Sequence, residues 1–374
     1  MTEKSELGVV PSITTKPLRV VCLTRAYGQH AGGMERLSFE LIESLKTDAS
    51  LNVEVIAYQG KRALSPLFIF SCLPRLWRYA RQADIVHLGD PLLSFSGWVV
   101  RKLTGVPVVV TVHGLDVTYN NPLYQLYLRL FFRNFAGYVP ISRYVQTLLR
   151  PLGLAQKSRV IAPGVHDRFW RPVPRAALDT LLPATLRGKR ILFTSGRLVR
   201  RKGHQWFIEE VLPHLPNSAV YVIAGDGPER KHIIEAAAQR GVAARVCLLG
   251  RVPDEELRIL LNTVDAFVQP NITVTNDVEG FGLVLLEAAL CERPVFVAAH
   301  EGMTDAIIQG KNGVLLPVGN AKAWQQALRI FLQEPKRHTP SGSQTRAYTK
   351  THFTWDERRT SYRDYFKQLD DGPP

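Results

Sequence analysis

The sequence predicts an α/β protein made of two doubly wound domains that face each other across a cleft. Three observations carry this. Short β-branched runs alternate with amphipathic helical stretches, the pattern of parallel sheets covered by helices on both faces. The alternation runs in two series, separated by a segment at 170–188 that holds three prolines and no strand pattern. The polar clusters stand just after strands, where open α/β sheets bind ligands.

The first series places strands at 18–24, 52–58, 84–88, 107–112, 137–140 and 159–162, with helices at 34–45, 92–103 and 142–149. The second places strands at 190–195, 219–224, 245–249, 266–269, 294–297 and 313–315. Its helices fall at 205–212, 228–238 and 321–332. The expected layout is a disordered leader at 1–17, a domain at 18–169, a linker at 170–188, a domain at 189–352 and a tail at 353–374.

The 374 residues suffice for two domains, and 45% hydrophobic with 21% charged content is that of a folded soluble protein. No apolar run approaches the roughly 18–20 residues that span a bilayer. The polar N-terminus lacks the apolar core of a secretion signal, so a cytoplasmic protein is expected. Cys22, Cys72, Cys247 and Cys291 are far apart, which favours reduced thiols over metal or disulfide roles. The net charge is +14. Residues 1–168 hold 20 Lys and Arg against 11 Asp and Glu, and the remainder 27 against 22, so the excess concentrates in the first half. Such a field attracts phosphates, nucleic acids or anionic lipid, although it also serves plain solubility.

The segment Glu279-Gly-Phe-Gly-Leu-Val-Leu-Leu-Glu287 is the most informative. A glycine-rich turn at a helix start exposes unpaired N–H groups and the positive end of the helix dipole, a seat for phosphate. Two carboxylates eight residues apart can accept from hydroxyls on either side of that phosphate, which suggests a nucleotide-sugar. An ordinary loop–helix junction would show the same spacing. After the first strand, 25–30 leads to Gly32-Gly33-Met34-Glu35, where amides can approach an anion or simply make a tight turn.

Strand 107–112 ends at His113-Gly-Leu-Asp116, which would aim a histidine into the cleft; lone histidines are also often structural. Strand 190–195 runs into Gly196-Arg197 and on to Lys202-Gly203. Two cations beside a helix start can neutralise a departing pyrophosphate, whereas Arg200 and Arg201 read as a solvated run. Gly225-Asp226-Gly227-Pro228 has Arg230 at the third glycine of a dinucleotide fingerprint, so a structural turn is favoured there, with Pro228 opening the helix. Gly250-Arg251-Val252 offers backbone that can read a nucleobase edge. Aromatic and basic residues interleave at 67–81 and 123–133. Phe68, Phe70, Leu73, Leu76 and Trp77, and then Tyr124, Tyr127, Phe131 and Phe132, are candidate faces for an anionic membrane or for the core.

Taken in order, these segments resemble the retaining glycosyltransferases of the GT-B fold, family 4, over about 19–369. The resemblance rests on Gly32-Gly33, His113-Gly114-x-Asp116, Ser142 in Pro-Ile-Ser-x-x-Val, Pro163-Gly164-Val165 and Gly196-Arg197-Leu198 with Lys202-Gly203. It continues through Gly225-x-Gly227-Pro228, Gly250-Arg251, the Glu279/Glu287 pair and Phe353-Thr354-Trp355-Asp356. It implies two Rossmann-like domains, with a last helix crossing back onto the N-terminal one. The C-terminal domain would bind nucleotide and the N-terminal domain the acceptor. Arg197 and Lys202 would hold the diphosphate, Glu287 the ribose, Glu279 the donor sugar, and His113 the transferring centre. Gly33, Gly196, Gly227, Arg251, Val252, Gly280, Phe281, Gly282 and Leu283 would line the donor seat, with Asp116 and Ser142 on the acceptor side.

Glu292 stands where the family usually has glycine, and a left-handed backbone there would cost about 1–2 kcal/mol. Glu301-Gly302 replaces a common Gly-Gly, and Asp305 a usual Glu. The insert at 271–278 resembles a subset with members that transfer mannose to lipids.

The expected reaction moves a hexose from a GDP- or UDP-linked donor to a hydroxyl of a glycan or lipid-linked acceptor. Retention would follow from front-face attack, with no essential metal, since no Asp-x-Asp element is present. The expected place is the cytoplasm or the inner face of the plasma membrane. A nucleotide-sugar epimerase or hydrolase on the same fold is the alternative, and an anion-binding protein without activity a third. No basic reading helix or zinc signature supports nucleic acid.

Overall fold

The computed structural model describes residues 16–25, 27–28, 33–60, 67–173, 183–186, 188–335 and 339–372. Most of the expected leader, Gly32 and about half of the linker lie outside the described residues.

The first sheet holds β1 (Leu18–Thr24), β2 (Leu51–Ala57), β3 (Ile85–Leu88), β4 (Val108–Val112) and β5 (Gly137–Pro140), in the order β2-β1-β3-β4-β5. The second holds β6 (Arg190–Ser195), β7 (Ala219–Ala224), β8 (Val246–Gly250), β9 (Ala266–Gln269), β10 (Val295–Ala298) and β11 (Val314–Leu316), in the order β11-β10-β9-β6-β7-β8. Every pairing is parallel. β3, β4 and β7 are buried at every position, which explains why they are apolar on both faces apart from His87, Thr111 and Tyr221.

The expected strand at 159–162 does not form. Arg159 and Ile161 donate to Tyr138 O and Pro140 O at 3.0 and 3.2 Å, so the segment follows β5 for two bonds. Residues 138 and 140 direct their polar groups to this side, and Pro140 has no N–H to return. The helix expected at 228–238 begins at Arg230, two residues after Pro228. The one expected at 205–212 is a short α-turn, His204–Trp206, continued as a π-turn over Phe207–Val211.

The C-terminal crossing is present. The helix Gly342–His352 lies on the second domain, where Arg346 donates to Leu290 O, and the same guanidinium reaches back to Trp170 O at 3.0 Å and to Asp167 O at 3.1 Å. The chain then pairs with Val165, whose amide donates to Phe353 O at 2.8 Å. The helix Trp355–Asp370 docks on the first domain and buries Trp355, Tyr362, Tyr365 and Phe366 against Val20, Cys22, Leu41, Val109 and Val139.

Two family departures sit in strained backbone. Glu292 has φ 60° and Glu301 φ 49°, both left-handed, so each carries the steric cost that glycine avoids.

Candidate active site

Each sheet has one point where consecutive strands part to opposite sides: between β1 and β3 in the first, and between β6 and β9 in the second. A crevice opens beyond the carboxyl ends there. The loops leaving β6 and β9 carry Lys202 and Glu279, and they meet. Lys202 is buried, and its Nζ lies 2.7 Å from Glu279 Oε2. The same oxygen takes Asn271 Nδ2 at 3.3 Å and lies 3.4 Å from Arg201 Nε. Arg201 also binds Asp277 Oδ1 at 2.7 Å. Burial acts to raise the Glu279 carboxyl, but Lys202 and Arg201 overcome it and hold the group at about 2. Glu279 therefore stays ionised across the physiological range.

These contacts correct the reading of the basic run. Arg201 is not part of a solvated run, since it is largely buried and paired with Glu279 and Asp277; the Arg197 side chain is exposed and makes no ion pair among the described residues. Residues Arg200–Lys202 form a single 3₁₀ turn, in which successive side chains diverge by about 120°. Arg200 thus faces solvent, Arg201 faces Asp277, and Lys202 faces the cleft floor.

The backbone closes around this pair. A Cβ at Gly225 would stand 1.9 Å from Gly196 O, so β6 and β7 end in contact that only glycine allows. Gly227 lies against Leu198, and Gly225 N donates to Gly250 O at 2.6 Å. Arg251 is exposed and Val252 half-buried. Gly282, with φ 89°, opens the helix Leu283–Leu290, whose N-terminus has no side-chain cap. Its first amides remain available to an anion. Phe281 is buried behind them, 6.3 Å from Phe353 between ring centroids.

Glu287, within this helix, is buried, and its Oε1 lies 3.0 Å from Arg36 Nη1 of the other domain. Arg36 follows three residues after Gly33, which starts the helix Gly33–Lys46. It also binds Glu40 Oε1 at 2.8 Å and approaches Asp254 Oδ2 at 3.7 Å. Three carboxylates thus share one guanidinium. Burial, helped by Glu40 and Asp254 and opposed by Arg36, pushes the Glu287 carboxyl up to about 7. Neither Arg36 nor its partners Glu40 and Asp254 was singled out from sequence, although the Arg36/Glu40 spacing of four is a recognisable helix pair.

On the first sheet, Arg25 after β1 pairs with Asp90 after β3 at 3.0 Å. His113 Nε2 lies 2.9 Å from Gly89 O. A carbonyl only accepts, so Nε2 carries the proton, and in the neutral ring Nδ1 is the acceptor. Gly280 packs on this histidine so closely that a Cβ would stand 2.1 Å from His113 O. The His113 backbone and the Glu279 turn therefore meet across the cleft. Asp116 and Ser142 are used differently. Asp116 accepts the amides of His113 and Gly114, each at 2.8 Å, and Ser142 Oγ caps the next helix at Val145 N, 3.1 Å away. Both oxygens thereby shape the backbone of their loops.

Two family models cover most of the chain: "Glycosyltransferase Family 4" over residues 19–169 and "Glycosyl transferases group 1" over residues 184–348. The amylovoran biosynthesis glycosyltransferase AmsK of Erwinia amylovora is 29% identical over 340 residues, 87% of this chain and 79% of that protein. The GDP-mannose-dependent alpha-(1-6)-phosphatidylinositol monomannoside mannosyltransferase of Mycolicibacterium smegmatis is 26% identical over 273 residues, 71% of each chain. The fold matches Anabaena Alr3699/HepE in complex with UDP, with TM-score 0.76 and 18% identity over 94% of this chain and 100% of that one. Sequence and fold agree: this chain belongs to the group 1, family 4 glycosyltransferases and is a glycosyltransferase of the GT-B fold.

Proposed function

We propose that the chain transfers a hexose, with retention, from a GDP- or UDP-linked donor to a hydroxyl of a glycan or glycolipid in cell-envelope or polysaccharide synthesis. The observation that carries this is the buried Lys202–Glu279 pair at the second sheet's crevice, facing His113. The diphosphate sits at the N-terminus of the helix Leu283–Leu290. Lys202 balances its charge as the glycosidic bond breaks. Glu279, ionised throughout, accepts from sugar hydroxyls, and Glu287 accepts from the ribose. The buried cleft excludes water from the oxocarbenium-like centre. The leaving diphosphate oxygen takes the acceptor proton on the same face, and no metal is required. The proposal keeps both donor bases, supported by one neighbouring structure that holds UDP and one relative that is GDP-mannose-dependent. The decisive experiment is NMR assignment of the product's anomeric configuration, in the presence of EDTA; an inverted product, or activity lost with the chelator, would overturn the corresponding part.

The Glu287 proton yields a pH test. Ribose hydroxyls stabilise the ionised carboxylate, which lowers a pKa that stands near 7 in the free protein. Donor binding therefore releases a proton below about pH 7, and affinity rises with pH up to that point and then levels. Calorimetry with intact nucleotide-sugar, whose diphosphate does not titrate here, in two buffers of different ionisation enthalpy measures the release. Glu287→Gln should abolish it; an unchanged release in that variant assigns the proton elsewhere.

The acceptor is proposed to be presented at an anionic membrane on the cytoplasmic side. No described helix is long and apolar enough to cross a membrane. The face involved differs from the expected one. Tyr124 and Tyr127 turn inward, donating to Asp116 O at 2.7 Å and to Leu92 O at 2.5 Å, and Phe131 packs on Phe95. The exposed side of the helix Pro122–Phe131 is instead Leu123, Leu126 and Leu130, with Arg129 and Arg133 beside them. Exposed Phe70 joins this surface through Phe95. Leu126→Glu with Leu130→Glu should lower partition onto phosphatidylglycerol vesicles about tenfold or more. Equal sedimentation of the parent protein with and without these vesicles would remove the idea.

A further inference from the structure

Glu301 joins three features that packing alone does not require. Its backbone is left-handed, φ 49°, which glycine would adopt without steric cost. Its carboxylate is nearly buried, 5% exposed. And that carboxylate has partners from both domains. Oε2 accepts the amide of Glu279 at 2.5 Å, and Oε1 takes the hydroxyl of Tyr144, from the first domain, at 3.5 Å. His300 Nε2 lies 3.2 Å from Oε1 but lacks hydrogen-bonding alignment. One residue before Tyr144, Arg143 Nε binds Asp305 Oδ1 at 2.5 Å, with its amide on the other oxygen. The turn that opens the helix Arg143–Leu148 thus grips the loop after β10 at two points four residues apart.

We propose that Glu301 is a positioning residue that ties closure of the two domains to the alignment of Glu279. It holds the Glu279 amide on the nucleotide side, and Tyr144 reaches it from the opposite side only when the cleft is shut. The Glu279 carboxylate is then set against the donor sugar while Gly280 seats on His113. This rests on the donor-binding role of Glu279 proposed above. Asn271, Arg201 and Lys202 fix the Glu279 side chain from below, and Glu301 fixes its backbone from above.

The test measures release of nucleoside diphosphate from GDP-mannose and from UDP-glucose, together with calorimetric nucleotide affinity and melting temperature. The variants are Glu301→Gly, Glu301→Gln, Tyr144→Phe and Glu279→Ala. Glu301→Gly should lower kcat by about 10- to 100-fold, the cost of misplacing a reacting group by up to an ångström, while the melting temperature holds or rises as the backbone strain is relieved. Glu301→Gln keeps an acceptor oxygen and should recover most of kcat. Tyr144→Phe should lower kcat several-fold with nucleotide affinity unchanged. Wild-type kcat in Glu301→Gly overturns the proposal. So does a fall in melting temperature that parallels the loss of activity in the Gly and Gln variants alike, because that marks a merely structural residue. Glu279→Ala separates the two levels: if it stays active, the donor-site reading fails; if it is inactive while Glu301→Gly is normal, only the positioning role fails.

Discussion

Lys202→Ala is expected to lower turnover by about 10²–10³-fold, the loss that follows removal of one preorganised group from a developing anion. The effect is large because Lys202 is buried at the end of β6 and contacts Glu279 at 2.7 Å, so no solvent replaces its charge. Arg201 is 3.4 Å from Glu279 and committed to Asp277, so it compensates only in part. The substitution also removes the main cation that keeps Glu279 ionised, and the carboxyl should move upward from about 2. Lys202→Arg should recover little, because a longer, planar fork does not fit the buried place of an Nζ that already stands 2.7 Å from Glu279 Oε2. Steady-state kinetics on a variant shown folded by circular dichroism checks this. Turnover within a few-fold of the parent would remove Lys202 from the reaction.

Trp355→Ala is expected to destabilise the first domain by about 3–5 kcal/mol, the range for truncating a large buried aromatic side chain. Trp355 begins the crossing helix and fills the space over Gly164, where a Cβ would meet it at 2.6 Å. Its Nε1 donates to Glu40 Oε2 at 2.9 Å, inside the cluster that Arg36 bridges to Glu287. Alanine therefore opens a cavity and strips a buried carboxylate of a donor. Denaturant unfolding should show an early transition for the first domain, with the second domain's transition near its original midpoint. A single transition displaced by less than about 1 kcal/mol would show that the crossing helix is not integral to the first domain.

The strand ends and their glycines were readable in the sequence because they depend on neighbours a few residues away. Gly196, Gly225, Gly280 and Gly282 stand where close approach or left-handed backbone demands them. The placement of Lys202, Glu279 and His113 on loops after strands was readable for the same reason. Arg201 was not, because within one 3₁₀ turn the direction of a side chain changes with every residue. Asp116 and Ser142 were placed in the right loops, but their oxygens satisfy local amides.

By itself, the sequence determined the two doubly wound sheets, the crossing back at 353–355 and the loops that bear the chemistry, since hydrophobic period and turn chemistry act over short distances. The tertiary structure alone decided which charges meet. Arg36 reaches Glu287 and Tyr144 reaches Glu301 only because two domains close on one another, and Arg201 reaches Asp277 because the loops after β6 and β9 meet within the second domain. Those pairings depend on distance and burial between segments dozens to hundreds of residues apart, and nothing local in the chain records them.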